Sequence, residues 1–385
     1  MRNARVVTCL GGFAAYFIVL LARGWNGLDQ IPSDPGYEYI KNQTDSGISL
    51  LDTTPYAHFD IPLVAAVASF VPIDFRGWVV TLVSSFIWSA SALVVFKVLQ
   101  HTTALRVRSF IGGLLLVTTP WAAQSAIGNY GNIRWPILVA AVTVISAEIS
   151  HKETRVLPMT LASVATTVSN PLAPLLLIPL IIGVLTLTRE HRKHLLIAAT
   201  PPLVGLIANL LIADSPGYSS KVTAFWSDAG LFWISGQLFP VSMAAAGMAF
   251  ATQKLREARP QRIFALYLFI IVVFIVVASY QLGGIADRYF VAPSALASIG
   301  VLILLNDFHV RRSWATKIVS ALLTLVLMVP TVHWFFVFPY LRSGPSWSMQ
   351  IKLARQQCSN GVIDSFRLIT SDGQTMTDPI SCREL

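Results

Sequence analysis

The feature that most constrains this chain is an alternation of long apolar runs with short, basic connections. Several runs approach the roughly 20 residues that cross a bilayer as a helix. Hydrophobic residues make up 54% of the sequence and charged residues only 12%, against about 25% charge in soluble domains. So few charges cannot cover so large an apolar core, and we therefore expect lipid to cover its outside. This excludes a soluble enzyme, a nucleic-acid-binding module and a disordered chain. The runs lie at about 6–22, 77–97, 109–125, 134–149, 156–170, 172–188, 194–213, 230–252, 263–282, 289–306 and 318–340.

Basic residues lie on every second connection between the apolar runs. Because cytoplasmic connections retain Lys and Arg, the pattern predicts an all-α polytopic membrane protein with about eleven transmembrane helices. Its N-terminus is then cytoplasmic and its C-terminus external. The clusters contain most of the 28 basic residues: Arg2 and Arg5; Lys97, Arg106 and Arg108; Lys152 and Arg155; Arg189, Arg192 and Lys193; Lys254, Arg256, Arg259 and Arg262; Arg311, Arg312 and Lys317.

Two segments need a separate interpretation. Residues 56–73 are apolar but short, and a crossing there would move every later basic cluster outside, so we expect an interfacial or re-entrant helix on the outer side. Asn170-Pro171 interrupts the apolar stretch 156–188 and predicts a tight helical hairpin. The chain then divides into a transmembrane domain, 1–340, with a long acidic external loop at 23–60, and a small external cap, 341–385.

Two of the three cysteines lie in the predicted cap, Cys358 and Cys382. Disulfides persist on the outer, oxidising side of a membrane, so we predict a bridge between them. Closing a loop of this length contributes roughly 3–4 kcal/mol on the chain-entropy model. The alternative is a pair of free thiols in a cytoplasmic tail.

Polar residues gather on the predicted outer side rather than inside the spans. The sequence contains no phosphate-binding loop and no metal-ligand motif. Ion-coupled transporters carry ionisable or unwound helix centres, and this sequence has almost none. The first external loop supplies four candidate catalytic carboxylates, Asp29, Asp34, Asp52 and Asp60. The alternative is that these carboxylates are merely solvated.

Two later external loops add cations and amides. In the loop at 128–136, Asn132 and Arg134 supply hydrogen-bond donors, and Trp135 is a natural interfacial anchor. In a later loop, Arg288 lies at the start of a helix, where a guanidinium suits a phosphate group. The alternatives are a snorkelling Arg134 and a local ion pair at Arg288.

Several short motifs resemble those of the GT-C class of membrane glycosyltransferases. The late helix opens with Asp287-Arg288-Tyr289-Phe290-Val-Ala-Pro293, as in that class. The chain is also similar to a group of bacterial, often actinobacterial, multi-span proteins. It differs from that group at Pro62, which stands one residue late, and at Leu63, which replaces an Arg. The shared motifs are Ser49-Leu50-Leu51, Tyr56-Ala-His58, Asn132-Ile-Arg-Trp135, and Trp347 with Cys358 and Cys382.

The resemblance implies a GT-C-like fold and transfer of a sugar from a polyprenyl-phosphate carrier to a glycan or glycolipid of the cell envelope. The reaction would take place at the outer face of a bacterial plasma membrane. The class places its acidic residue soon after the first span, which favours Asp29 or Asp34 as the base before Asp52 or Asp60. Arg288 and Arg134 would bind the donor phosphate. The implied substrate-binding residues are Asn132, Trp135, His58 and Tyr289.

The carrier already stores the energy of the reaction, so the resemblance requires no organic cofactor. A divalent cation, Mg²⁺ or Mn²⁺, is compatible with the class, although no metal ligand stands out. The implied partners are the lipid-linked donor, the acceptor and membrane lipids, with no nucleic acid. The alternative functions are a transporter or flippase of a lipid-linked substrate, a non-catalytic assembly subunit, and an O-antigen-type ligase or polymerase.

Overall fold

The computed structural model is predominantly helical, as predicted. Two short strands occur near the C-terminus, and two 3₁₀ turns, Ile73–Phe75 and Ala173–Leu176, lead into longer helices. The structure describes residues 2–24, 28–31, 34–45, 47–49, 59–103, 106–119, 132–212, 228–252, 259–281, 290–309, 317–318, 321–322, 324, 344–369, 375, 379–383 and 385. The helices are α1 Arg2–Gly24, α2 Asp34–Asp45, α3 Asp60–Ser69, α4 Arg76–Thr103, α5 Arg106–Thr118, α6 Arg134–His151, α7 Val156–Ser169, α8 Leu177–Thr186, α9 Arg189–Ile212, α10 Asp228–Thr252, α11 Pro260–Gln281, α12 Val291–His309 and α13 Trp347–Ser359.

Three described segments are long and apolar enough to cross a membrane: Ile73–Thr103, Arg189–Leu211 and Pro260–Ala278. Shorter apolar helices accompany them, and α9 leaves large apolar side chains such as Leu210 and Leu211 exposed. Exposed apolar surface of this kind is expected where hydrocarbon replaces water. These helices indicate association with a membrane. The predicted last span, 318–340, lies largely outside the described residues.

The hairpin predicted at Asn170-Pro171 is confirmed. A proline disfavours the helical conformation at the residue before it, and Asn170 is extended, with φ −139° and ψ 124°. Helix α7 ends at Ser169, and α8 begins after a short 3₁₀ turn. The two helices therefore reverse direction at this point.

The segment between α1 and α4 contains two short helices. Helix α3 forms the described part of the apolar segment 56–73. It buries Val64 and Ala68 while leaving Leu63 and Phe70 exposed. Helix α2 lies within the acidic segment 23–60 and packs against α3. The sequence predicts a long acidic loop here but not this helix. An interfacial or re-entrant position of α3 stays a prediction.

Helix α6 is the centre of the bundle. Every side chain from Leu138 to Ser150 is buried, and the helix packs against α4, α7, α11 and α12. Its small side chains, among them Ala140, Ala141 and Ala147, allow neighbouring helices to approach closely. Helix α6 is therefore buried on all sides over most of its length.

Long-range contacts sort the helix ends into two groups. At one end, His101 of α4 contacts Glu153 after α6 at 3.0 Å, and Arg108 of α5 donates to Leu305 O of α12 at 2.9 Å. At the other end, Arg23 of α1 donates to Val117 O of α5 at 2.7 Å. We call these the His101 end and the Asp60 end, the second after the ion pair described below.

The C-terminal residues form a small unit that docks near the start of α4. Helix α13 is followed by strands β1 Ser365–Phe366 and β2 Ile380–Ser381, which pair antiparallel. Cys358 and Cys382 form a disulfide, with their Cα atoms 5.6 Å apart, so that prediction is confirmed. Arg355 binds Asp74 through two hydrogen bonds of 2.7 and 2.9 Å. The indole of Trp347 donates to Ile73 O at 2.6 Å.

Candidate functional site

Asp60 and Arg134 form a buried ion pair at the Asp60 end. Asp60 begins α3, where a carboxylate is favourable beside the positive end of the helix. Arg134 begins α6, and its Nε lies 3.4 Å from Oδ2 of Asp60. The side chains are only 2% and 12% exposed, respectively. The structure thus joins one candidate carboxylate with one candidate phosphate-binding arginine.

Burial raises the pKa of Asp60 well above its usual range, because the charged carboxylate loses its hydration. Backbone hydrogen bonds at the start of α3 lower the pKa by a smaller amount. The 3.4 Å between Arg134 Nε and Asp60 Oδ2 exceeds the roughly 2.7–2.9 Å of a charge-assisted hydrogen bond, so this contact is an ion pair rather than a hydrogen bond. Asp60 lies outside the three candidate spans. A carboxylate with a raised pKa is suited to accept a proton.

The end of α7 and the turn after it contact the backbone of Arg134 and of the residue before Asp60. The N–H of Phe59, directly before Asp60, donates to Val168 O at 2.8 Å. The side-chain amide of Asn170 donates to Arg134 O at 3.1 Å. Three separate parts of the chain therefore meet at this ion pair.

Asn132 and Trp135 flank Arg134 in sequence, and both are 3% exposed. The interpretation of Trp135 as an interfacial anchor is therefore wrong, because its indole packs inside the protein. The snorkelling alternative for Arg134 is wrong for the same reason, since its guanidinium turns inward toward Asp60. Trp135 and Arg134 therefore both lie in the interior of the bundle near its Asp60 end.

Asp29 lies in a different setting, where it binds the start of α13. Its Oδ2 accepts hydrogen bonds from Ser346 Oγ at 2.6 Å, Ser348 Oγ at 2.5 Å and Ser348 N at 3.1 Å. Its backbone carbonyl accepts from Trp347 N at 2.7 Å. A Cβ at Gly77 would lie 3.1 Å from Oδ1 of Asp29, so α4 packs directly against this junction. Asp29 fastens the cap to the rest of the protein.

Replacing Asp29 by Ala is expected to loosen the cap. The change removes acceptors for N–H and O–H groups in the first turn of α13, a loss worth about 0.5–2 kcal/mol at helix N-termini. Hydrogen exchange of the α13 amides measures the effect, with Asp45→Ala, an exposed residue of α2, as the matched control. Unchanged exchange in the Asp29 variant would show that the cap is held by its other contacts.

The remaining predicted site residues are not placed by the structure. Asp34 is the first residue of α2, but its side chain lies outside the described residues. The others that lie outside them are Asp52, His58, Arg288 and Tyr289. Their predicted roles as base, substrate contacts and phosphate ligand stay predictions.

Within the described part of the chain, no group of three or more His, Cys, Asp or Glu side chains is arranged to hold a metal ion. The carboxylate of Asp60 has Arg134 as its charged partner. A role for Mg²⁺ or Mn²⁺ stays a prediction.

The sequence interpretation missed Asn170 as a site residue. It treated Asn170-Pro171 only as a helix breaker, although the side chain is buried and contacts both Arg134 O and Leu172 N. The sequence did contain an indication of this role. Asn170 is a polar residue at the apex of an apolar hairpin, on the same predicted side of the membrane as Arg134.

The fold and the ion pair define a helical protein of membrane type with a buried ion pair at one end of its bundle. No protein-family model matches the chain, and no curated protein matches it significantly.

Proposed function

We propose that this protein is a polytopic glycosyltransferase of the bacterial plasma membrane. It takes a sugar from a polyprenyl-phosphate carrier and transfers it to a cell-envelope glycan or lipid at the outer face. The observation that carries the proposal is the buried pair of Asp60 and Arg134. It combines a proton acceptor with a cation suited to a phosphate, and the GT-C resemblance supplies the reaction in which both are needed.

The proposal includes about eleven crossings in a GT-C-like arrangement, with a cytoplasmic N-terminus and an external C-terminus. It is supported by the way helix ends sort into two groups. Basic residues such as Arg108 and Arg155 lie at the His101 end, which we assign to the cytoplasm. The disulfide of the cap fits an oxidising exterior at the opposite end.

In the proposed reaction, Asp60 accepts the proton of the acceptor hydroxyl while the acceptor oxygen bonds to the anomeric carbon. The bond from that carbon to the phosphate oxygen breaks, and the lipid phosphate leaves with the electron pair. Arg134, together with Arg288, stabilises the charge on the leaving phosphate. Because a phosphate is already a good leaving group, the reaction needs no general acid. We favour Asp60 over Asp29 because the Asp29 carboxylate is occupied by the cap.

Transfer assays in proteoliposomes test this proposal. Radiolabelled polyprenyl-phosphate sugars, covering pentose and hexose carriers, are presented at the outer face. Asp60→Asn is expected to lower the transfer rate at least about 100-fold, because general base catalysis contributes about that much. Asp74→Asn is the matched control, since Asp74 also pairs with an arginine, Arg355, but in a half-exposed position. We expect it to retain nearly the full rate.

The same assay decides between the enzyme and a transporter. The second candidate has one observation in its favour. Thr81, Ser84 and Ser85 on α4 are fully buried, and their hydroxyls have no hydrogen-bond partner among the described residues, which gives this bundle a polar interior. If no donor is consumed but a lipid-linked analogue is flipped across the bilayer, the transporter replaces the enzyme. An active Asp60→Asn variant would remove Asp60 as the base.

A further inference from the structure

Residues at the end of α7 and the start of the turn after it contact the backbone of Arg134 and of Phe59, the residue before Asp60. Phe59 N donates to Val168 O at 2.8 Å, which fixes the chain directly before Asp60. Asn170 Nδ2 donates to Arg134 O at 3.1 Å, which fixes the first residue of α6. The distance between the Asp60 carboxylate and the Arg134 guanidinium therefore depends on residues 168–170, which belong to a third segment.

Both polar atoms of the Asn170 side chain make hydrogen bonds in this position. Its Oδ1 accepts from Leu172 N at 2.9 Å, closing a turn of the kind that Asn side chains form with the backbone two residues on. That contact holds the amide plane and aims Nδ2 at Arg134 O. Pro171 keeps Asn170 out of the helical conformation, so the side chain projects from the apex rather than from a helix face. Asn170 itself is buried.

We propose that Asn170 is the positioning residue of the candidate site, which holds the start of α6 so that the Arg134 guanidinium stays beside the Asp60 carboxylate. Asn170 does not touch the reacting atoms, and its effect passes through Arg134. The consequence for sugar transfer rests on the proposed function, whereas the effect on the ion pair does not depend on any activity.

A purely structural role predicts a different result from a positioning role. If Asn170 holds Arg134 in place, its loss moves the cation away from Asp60, and the charged carboxylate loses a favourable interaction with an opposite charge. The apparent pKa of Asp60 then rises further. If Asn170 merely stabilises the hairpin, its loss loosens the packing and admits water. The apparent pKa of Asp60 then falls toward its ordinary value.

The test is the pH dependence of Asp60 modification by a hydrophobic carbodiimide, which reacts with protonated carboxyl groups, followed by peptide mass spectrometry. The full-length protein is used in lipid nanodiscs. In Asn170→Ala the labelling of Asp60 is expected to persist to higher pH than in the wild type. Arg134→Gln removes the cation itself, so it is expected to move the pH midpoint of Asp60 labelling in the same direction and serves as the reference for the size of the shift. Asn209→Ala is the matched control, because that amide donates to Gly205 O, one turn away in its own helix.

A midpoint that moves to lower pH in Asn170→Ala, or stays unchanged, would overturn the positioning role. In the transfer assay, Asn170→Ala is expected to lower kcat about 10- to 100-fold, because a misplacement of about 1 Å costs up to that factor. The KM for the donor should change less than kcat. If the labelling shifts as expected but no transfer is found in the wild type, the positioning role stands and the proposed function fails.

Discussion

Replacing Asp60 by Ala is expected to destabilise the protein by about 3–5 kcal/mol, the cost of removing one partner from a buried ion pair. Arg134 cannot lose its proton within a protein, so the variant retains a buried guanidinium that no longer has its carboxylate. Replacing Arg134 by Ala is expected to cost less, about 1–3 kcal/mol. In that variant Asp60 can take up a proton instead, because burial already raises its pKa.

Unfolding in mixed detergent micelles measures these differences for the two single variants and the double variant. We expect the double variant to be less destabilised than the sum of the single ones, because the pair is in direct contact. Asp74→Ala is the control. Asp74 forms an ion pair with Arg355 near the same end, but this pair is half-exposed, so we expect a destabilisation of about 1 kcal/mol or less. Equal effects of Asp60→Ala and Asp74→Ala would contradict a buried, coupled pair at Asp60.

The raised pKa of Asp60 also predicts a pH dependence of stability. At a pH below the pKa of Asp60 in the unfolded chain, the carboxyl is protonated in both the folded and the unfolded state. The preference of the buried site for the neutral form then contributes fully to the stability of the folded state. As pH rises toward the raised folded pKa, the unfolded chain binds fewer protons than the folded one, so stability falls. Asp60→Asn is expected to remove this dependence of the free energy of unfolding on pH. If the dependence is unchanged in Asp60→Asn, it is caused by other titratable groups.

Replacing Cys358 and Cys382 by Ser is expected to destabilise the cap by roughly 3–4 kcal/mol. The bridge joins residues 24 positions apart. On the chain-entropy model, closing a loop of that size stabilises the folded state by this amount because it lowers the entropy of the unfolded chain. We expect the residues after α13 to become sensitive to added protease. The anchored start of α13 should stay protected, because Trp347 is buried and its indole binds Ile73 O.

Limited proteolysis in proteoliposomes, with the protease added outside, measures this effect and also reports which side the cap occupies. Cys9→Ser is the control, since Cys9 is a free cysteine in α1. Equal protease resistance of the double Cys variant and the wild type would show that the strand pair and Arg355 hold the tail unaided. Resistance of both in intact vesicles, with cleavage after opening them, would place the cap on the inner side.

Several features of the fold could be predicted because they depend on local sequence. The hairpin follows from Pro171, whose ring acts on the residue directly before it. The bridge between Cys358 and Cys382 followed from two cysteines in one short tail. Helix α2 was not predicted, because its sequence contains few apolar residues and it packs against a separate helix, α3.

The candidate site was predicted only in its parts. Asp60 and Arg134 were both named, but nothing in their sequence neighbourhoods indicated that they meet. Asp29 was favoured for its closeness to the first span, yet its carboxylate receives three hydrogen bonds from Ser346 and Ser348 at the far end of the chain. A role that depends on such distant residues cannot be deduced from local pattern.

The sequence by itself determined that this is a helical protein with helices long and apolar enough to cross a membrane, because long apolar runs with few charges favour helices whose backbone groups bond to one another. It also determined the helix break at Asn170-Pro171, since a proline restricts the residue directly before it. Only the tertiary structure decided which carboxylate is buried beside an arginine and which one fastens the cap. The physical reason is that burial and pairing energies depend on distances between segments far apart in sequence. Those distances are set by the packing of α3, α6 and the α7–α8 hairpin together.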